Sequence, residues 1–145
     1  MGDYAIKARF EADYPPADLR KWLISTEGIT GWWSDSVSGS ASSPGDEFHV
    51  RFPTTEVVFD LVVSETTDRA IEWGVPESPP WWRGTSIRFE LGDTDNGSGT
   101  SLLFTHEGFD PGDPIIAVIT PAWVGFLNNL IDVARTGKAN PAVVN

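Results

Sequence analysis

His106 is the residue in this chain best placed to do chemistry. It sits in Gly99-Thr100-Ser101-Leu102-Leu103-Phe104-Thr105-His106-Glu107-Gly108, where alternation puts it on one face with Leu102 and Phe104. An imidazole among apolar neighbours can hydrogen-bond the polar group of a guest, or be satisfied inside a core. Acid–base catalysis needs a second titratable group converging on it. The pattern supplies none, because Glu47, Asp60, Glu72 and Glu90 alternate with apolar residues and fall on solvent-side faces. His49 lies between Glu47 and Arg51 on such a face, so the two histidines do not converge on a metal. Asp93-Thr94-Asp95-Asn96-Gly97 is rich in oxygen ligands but lacks the later bidentate glutamate of a calcium loop, and reads as a turn. Phosphate-cradling glycine loops and the G-x-S-x-G nucleophile turn are absent. With no cysteine, thiolate metal sites and disulfides are excluded. No catalytic residue, metal or cofactor is expected.

The second notable set is aromatic. There are seven tryptophans. Trp22, Trp32, Trp33, Trp73 and Trp123 read first as core; because a buried indole N–H needs a partner, the other reading is that some line a cavity holding water or a polar ligand. Trp81 and Trp82 follow Pro79-Pro80 and are placed to cover the mouth of a sheet or to meet another molecule.

Bulk properties narrow the partners. At 145 residues the chain is read as one domain over 1–138, with a loosely held tail over 139–145. The net charge of −11 argues against nucleic acid and anionic membrane surfaces. No basic start followed by an apolar run marks a secretory signal, and no apolar stretch approaches ~20 residues, so a cytoplasmic protein is expected.

These residues must be carried by a sheet and one long helix. Tyr4, Ile6, Ala8 and Phe10 alternate as a half-buried strand, broken at Pro15-Pro16. Leu19, Trp22 and Leu23 have helical spacing, and Thr26 is placed to cap a second short helix ending near Trp32-Trp33. About six strands follow, the last two joined by a turn-rich loop at 93–99. Asp113 and Pro114 open a final helix with a kink or a fresh start at Pro121 and an end at Gly137. Trp123, Phe126, Leu127, Leu130, Ile131 and Ala134 make its apolar stripe. Consecutive antiparallel strands followed by a helix give an α+β layer pair.

Three segments carry a family resemblance. They are Thr26-Glu27-Gly28-Ile29-Thr30-Gly31-Trp32-Trp33-Ser34, Trp82-Arg83-Gly84-Thr85-Ser86-Ile87-Arg88-Phe89-Glu90-Leu91, and Gly99–Gly108 running on to Trp123, Leu127 and Leu130. In these the chain resembles the START-like (SRPBCC) superfamily and, within it, the activator-of-heat-shock-protein-90-ATPase-like (AHSA-type) family. The resemblance implies a helix-grip fold: a curved antiparallel sheet of about six to seven strands around a long C-terminal helix, with two short helices after the first strand. That fold hosts ligand carriers, cyclases, hormone receptors and chaperone regulators.

The expected function is non-catalytic binding of an apolar or aromatic small molecule between the sheet and the C-terminal helix. The inward faces supply the expected walls: Trp33, Phe48, Val50, Phe59, Leu61, Trp73, Phe89, Leu91, Phe104, His106, Trp123, Phe126, Leu127 and Leu130. A protein-interaction module, with the chaperone co-regulator role implied by the resemblance, is the alternative. A cyclase-type enzyme is the third, and a homodimer is the expected assembly if Trp81 and Trp82 form a contact.

Overall fold

The residues that alternation places inward in the central strands are enclosed, except Val57, which is half-buried and lies just before the strand that begins at Val58. Phe48, Val50, Phe59, Leu61, Val63, Ile71, Trp73, Ile87, Phe89, Leu91, Leu102, Phe104 and His106 are all buried. The computed structural model describes residues 2–52 and 55–139. The tail expected over 139–145 lies, from residue 140 on, outside them. Seven strands among the described residues form one antiparallel sheet: β1 (Tyr4–Ala12), β2 (Ser36–Gly39), β3 (Glu47–Arg51), β4 (Val58–Thr66), β5 (Ala70–Gly74), β6 (Ser86–Asp93) and β7 (Thr100–Phe109). Their spatial order is β1-β7-β6-β5-β4-β3-β2, so β2 to β7 form a meander and the first strand closes on the last. The helices are α1 (Pro16–Arg20), α2 (Thr26–Thr30) and α3 (Ile115–Thr136). This is the expected α+β helix-grip arrangement.

The solvent face holds the charges. Arg88 meets the carboxylates of Glu65 at 2.8 Å, Glu90 at 2.8 Å and Glu72 at 3.7 Å, while His49 meets Asp60 at 2.6 Å. These partly exposed groups pair within β6, with β5 and β4, and between β3 and β4.

Local differences from the sequence reading have local causes. Tyr4 is 40% exposed rather than inward, because the β1–β7 register shifts between Tyr4 and Ala5 and the bulge turns the side chain out. Ser25, not Thr26, caps α2: its Oγ accepts the Gly28 N–H at 2.9 Å. After Arg20 the first helix tightens into i−3 turns, Trp22 N–H to Leu19 C=O at 3.1 Å and Leu23 N–H to Arg20 C=O at 2.9 Å. Those turns still bury Leu19 and Leu23.

α3 positions the site. The Asp113 carboxylate accepts the Ile115 N–H at 3.0 Å at its start. The helix runs as one element through Pro121 rather than beginning again there. Gly137 ends it at φ 74°, donating to the Val133 carbonyl at 2.7 Å. By length and composition alone α3 is long and apolar enough to cross a bilayer, against the sequence expectation. Core helices meet the same test, and here one stripe, Ile119, Trp123, Leu127, Leu130 and Val133, is buried.

Candidate functional site

Helical spacing places Val118, Ile119, Ala122, Trp123 and Phe126 on one face of the first half of α3. Together with Phe52, Thr55, Val57 and Phe59 from the β3–β4 connection and β4, they line a solvent-open cavity of about 260 Å³. Trp81 and Trp82, in a 3₁₀ turn over Pro80–Trp82, complete the wall. No titratable side chain lines the cavity among the described residues. Its one polar side chain, Thr55, is already used locally: its hydroxyl faces the Phe52 carbonyl at 3.5 Å and accepts the Val57 N–H at 3.3 Å. Such walls hold a guest by shape and apolar contact, not by hydrogen bonds.

The expected wall residues divide into two groups. Phe59, Trp123 and Phe126 line the cavity. Phe48, Val50, Leu61, Trp73, Phe89, Leu91, Phe104, Leu127 and Leu130 do not reach it; they are buried in the continuous core. The reason is volume. Trp33 lies fully buried at the hub, stacked near Trp32, Trp73 and Trp82 at 5.7, 6.1 and 6.3 Å, with Trp123 at 5.3 Å and Phe59 at 5.9 Å. These rings fill the space beneath the sheet's centre and leave the opening at one end. The indole N–H groups of Trp22, Trp33, Trp73 and Trp82 meet no oxygen or nitrogen acceptor among the described residues.

His106 stands behind the cavity wall, fully buried. Its Nδ1 lies 3.0 Å from Trp123 Nε1, and an indole N–H can only donate. Nδ1 must therefore be the unprotonated acceptor, which puts the ring proton on Nε2. That N–H donates to Thr85 Oγ1 at 2.8 Å, and the Thr85 hydroxyl donates to the Trp82 carbonyl at 2.6 Å. The relay ties Trp123 and the Trp82 backbone to one neutral imidazole. Burial pushes the His106 pKa down to about 3, consistent with that neutral state. The backbone supports the relay: Gly108 has φ 111°, and a Cβ there would come within 3.2 Å of Thr85 Cα. Both ring nitrogens are committed, so His106 orients wall residues rather than meeting a guest.

Phe52, Val57, Val118, Ile119 and Ala122 line the cavity although the sequence reading did not place them there. Val118 and Ala122 carry a usable signal: they lie one turn apart beside the stripe residues Trp123 and Phe126. Trp81 and Trp82 do stand at the cavity, Trp81 40% exposed and Trp82 buried. A surface groove of about 440 Å³ near α1 mixes charges, and its Arg20 and Arg69 are already engaged by the Thr67 carbonyl and Asp93. Among the described residues no cluster of three or more histidine, aspartate or glutamate side chains gathers at a point able to hold a metal.

No protein-family model and no curated protein sequence matches the chain. Solved structures do. The Aha1 dimer from Colwellia psychrerythraea superposes with a TM-score of 0.80 at 26% identity, covering 93% of this chain and 98% of that one. A protein from Mesorhizobium loti gives 0.77 at 18%, covering 92% and 98%. The fold is START-like, of the AHSA type. DynU16, from the dynemicin biosynthetic locus, shows the same fold with a TM-score of 0.76 at 17% identity, over 97% of this chain and 50% of that one. The cavity lies on the long helix, at the end of the sheet where β3 ends and β4 begins.

Proposed function

We propose that the chain is a non-catalytic binding domain for an apolar or aromatic small molecule. The observation that carries this is the cavity under the first half of α3, walled by six aromatic rings and without a charged group. The cyclase-type alternative requires acid–base groups facing the guest, and the cavity walls supply none. The test is fluorescence titration with the neutral probe N-phenyl-1-naphthylamine. Saturable enhancement is expected, and Ala122→Phe, which fills the cavity from an exposed helix position, should abolish it. Saturable binding unaffected by Ala122→Phe would place the probe elsewhere and remove the reading.

A second reading, protein interaction, rests on a separate observation. Of four large hydrophobic residues exposed among the described residues, Trp81, Val118 and Val124 belong to α3 or to the cavity edge it shares. Residues 114–131 carry no charge, in a chain of net charge −11. Such a patch suits a contact between copies, and the Colwellia psychrerythraea protein is itself a dimer. Analytical ultracentrifugation should show a dimer that Val118→Asp converts to monomer; a monomer at all concentrations would exclude it.

A further inference from the structure

The apolar-ligand reading leaves the ligand's charge open, and the wall chemistry bears on it. We propose that the cavity selects a bulky organic cation, of the quaternary ammonium class, over its neutral isostere. This rests on the cavity being a binding site. Phe52, Phe59, Trp81, Trp82, Trp123 and Phe126 surround the space. Several meet at right angles: Trp81 with Phe59 at 88°, Phe52 with Phe59 at 85°, and Trp123 with Phe126 at 90°. Six aromatic rings thus make up most of the wall, and the negative face of an aromatic ring attracts a poorly hydrated cation.

The surroundings favour the same sign. No lysine, arginine or histidine lines the cavity among the described residues. Glu56, exposed, lies between the wall residues Thr55 and Val57. The net charge of −11 raises the local concentration of cations at long range. A carboxylate guest would find no donor inside and repulsion outside. A primary ammonium would lose hydration with no acceptor to replace it, since Thr55 is already engaged, whereas a quaternary ammonium has no N–H to satisfy.

The test compares two molecules of nearly equal shape, phenyltrimethylammonium and tert-butylbenzene, as competitors of N-phenyl-1-naphthylamine. The ammonium should displace the probe roughly tenfold more effectively. At 0.5 M NaCl, where long-range attraction is screened, most of that preference should persist. Trp81→Leu keeps an apolar wall and removes one ring; the ammonium should weaken at least threefold while tert-butylbenzene changes less than twofold. Equal displacement, a preference for tert-butylbenzene, or a preference lost entirely in salt would overturn the cation inference and leave the apolar-ligand reading standing. A Trp81→Leu variant that weakens both competitors alike would overturn it too. If N-phenyl-1-naphthylamine fails to bind at all, the cavity reading itself falls.

Discussion

Leu127, Leu130 and Val133, in the second half of α3, are fully enclosed, whereas in the first half Val118 is 64% exposed and Ile119, Ala122, Trp123 and Phe126 border open space. One apolar helix thus serves two purposes. Its second half contributes ordinary core stabilisation. Its first half forgoes part of that, because atoms facing a void lack partners for dispersion contacts. What holds the open end in shape is different in kind. Trp123 is tethered to His106, and His106 through Thr85 to the Trp82 backbone, so directional hydrogen bonds add to ring packing in fixing these walls. At the closed end a long-range polar tie comes from Tyr14, whose hydroxyl donates to the Ile131 carbonyl at 2.8 Å; burial pushes its pKa up to about 12. The cavity in this protein thus lies where side-chain volume runs out and a polar relay adds to the packing.

The largest expected effect separates the two halves directly. Leu127→Ala should cost roughly 2–5 kcal/mol, as for a packed core leucine, and Ile119→Ala clearly less, because its new void joins an existing one. Urea midpoints for both variants test this; equal costs would erase the distinction between a packed and an open end.

His106→Phe comes next. It leaves the Trp123 N–H without its acceptor and should cost about 1–3 kcal/mol at neutral pH. The same variant carries a pH signature. The folded state holds His106 neutral, with its pKa lowered from 6.5 to about 3, so below 6.5 the unfolded chain binds the extra proton. Its contribution is complete above pH 6.5 and is lost as pH falls toward 3, by up to ~1.4 kcal/mol per unit. Wild type should therefore lose stability faster than His106→Phe between pH 6.5 and 4 in paired urea melts. Parallel curves would mean that the imidazole is not held neutral by burial.

The smallest effect sharpens the comparison. Val118→Ser, at an exposed position, should shift stability by no more than about 0.5 kcal/mol while weakening N-phenyl-1-naphthylamine several-fold. A stability loss as large as that of Leu127→Ala would show the first half of α3 to be core after all.

Much of the frame was legible because alternation and helical spacing are local signals. The inward faces of β3 to β7, the solvent placement of Glu72, Glu90 and Asp60, and the end of α3 at Gly137 all follow from residue order. Tyr4 did not, since a bulge at Tyr4/Ala5 is set by pairing with β7. The site was only partly legible. Inward orientation is common to Phe89, which packs, and to Phe59, which lines the cavity. No pattern distinguishes them, because the difference is how much volume arrives from elsewhere.

Residue order alone determined the α+β class, the strand faces, the apolar stripe of α3, and an acidic chain without thiol chemistry or a nucleotide-binding loop. Those depend on period, charge and residue type, each carried within a few neighbouring positions. Tertiary structure decided the rest. Trp33 became a hub because rings from Trp32 just after α2, from β5 and from α3 converge on it, and His106 became a buried tether because Trp123 arrives from 17 residues away to donate to it. The cavity opens at Phe52, Phe59, Trp81 and Val118 because three segments distant in sequence meet there without enough side-chain volume to fill the gap.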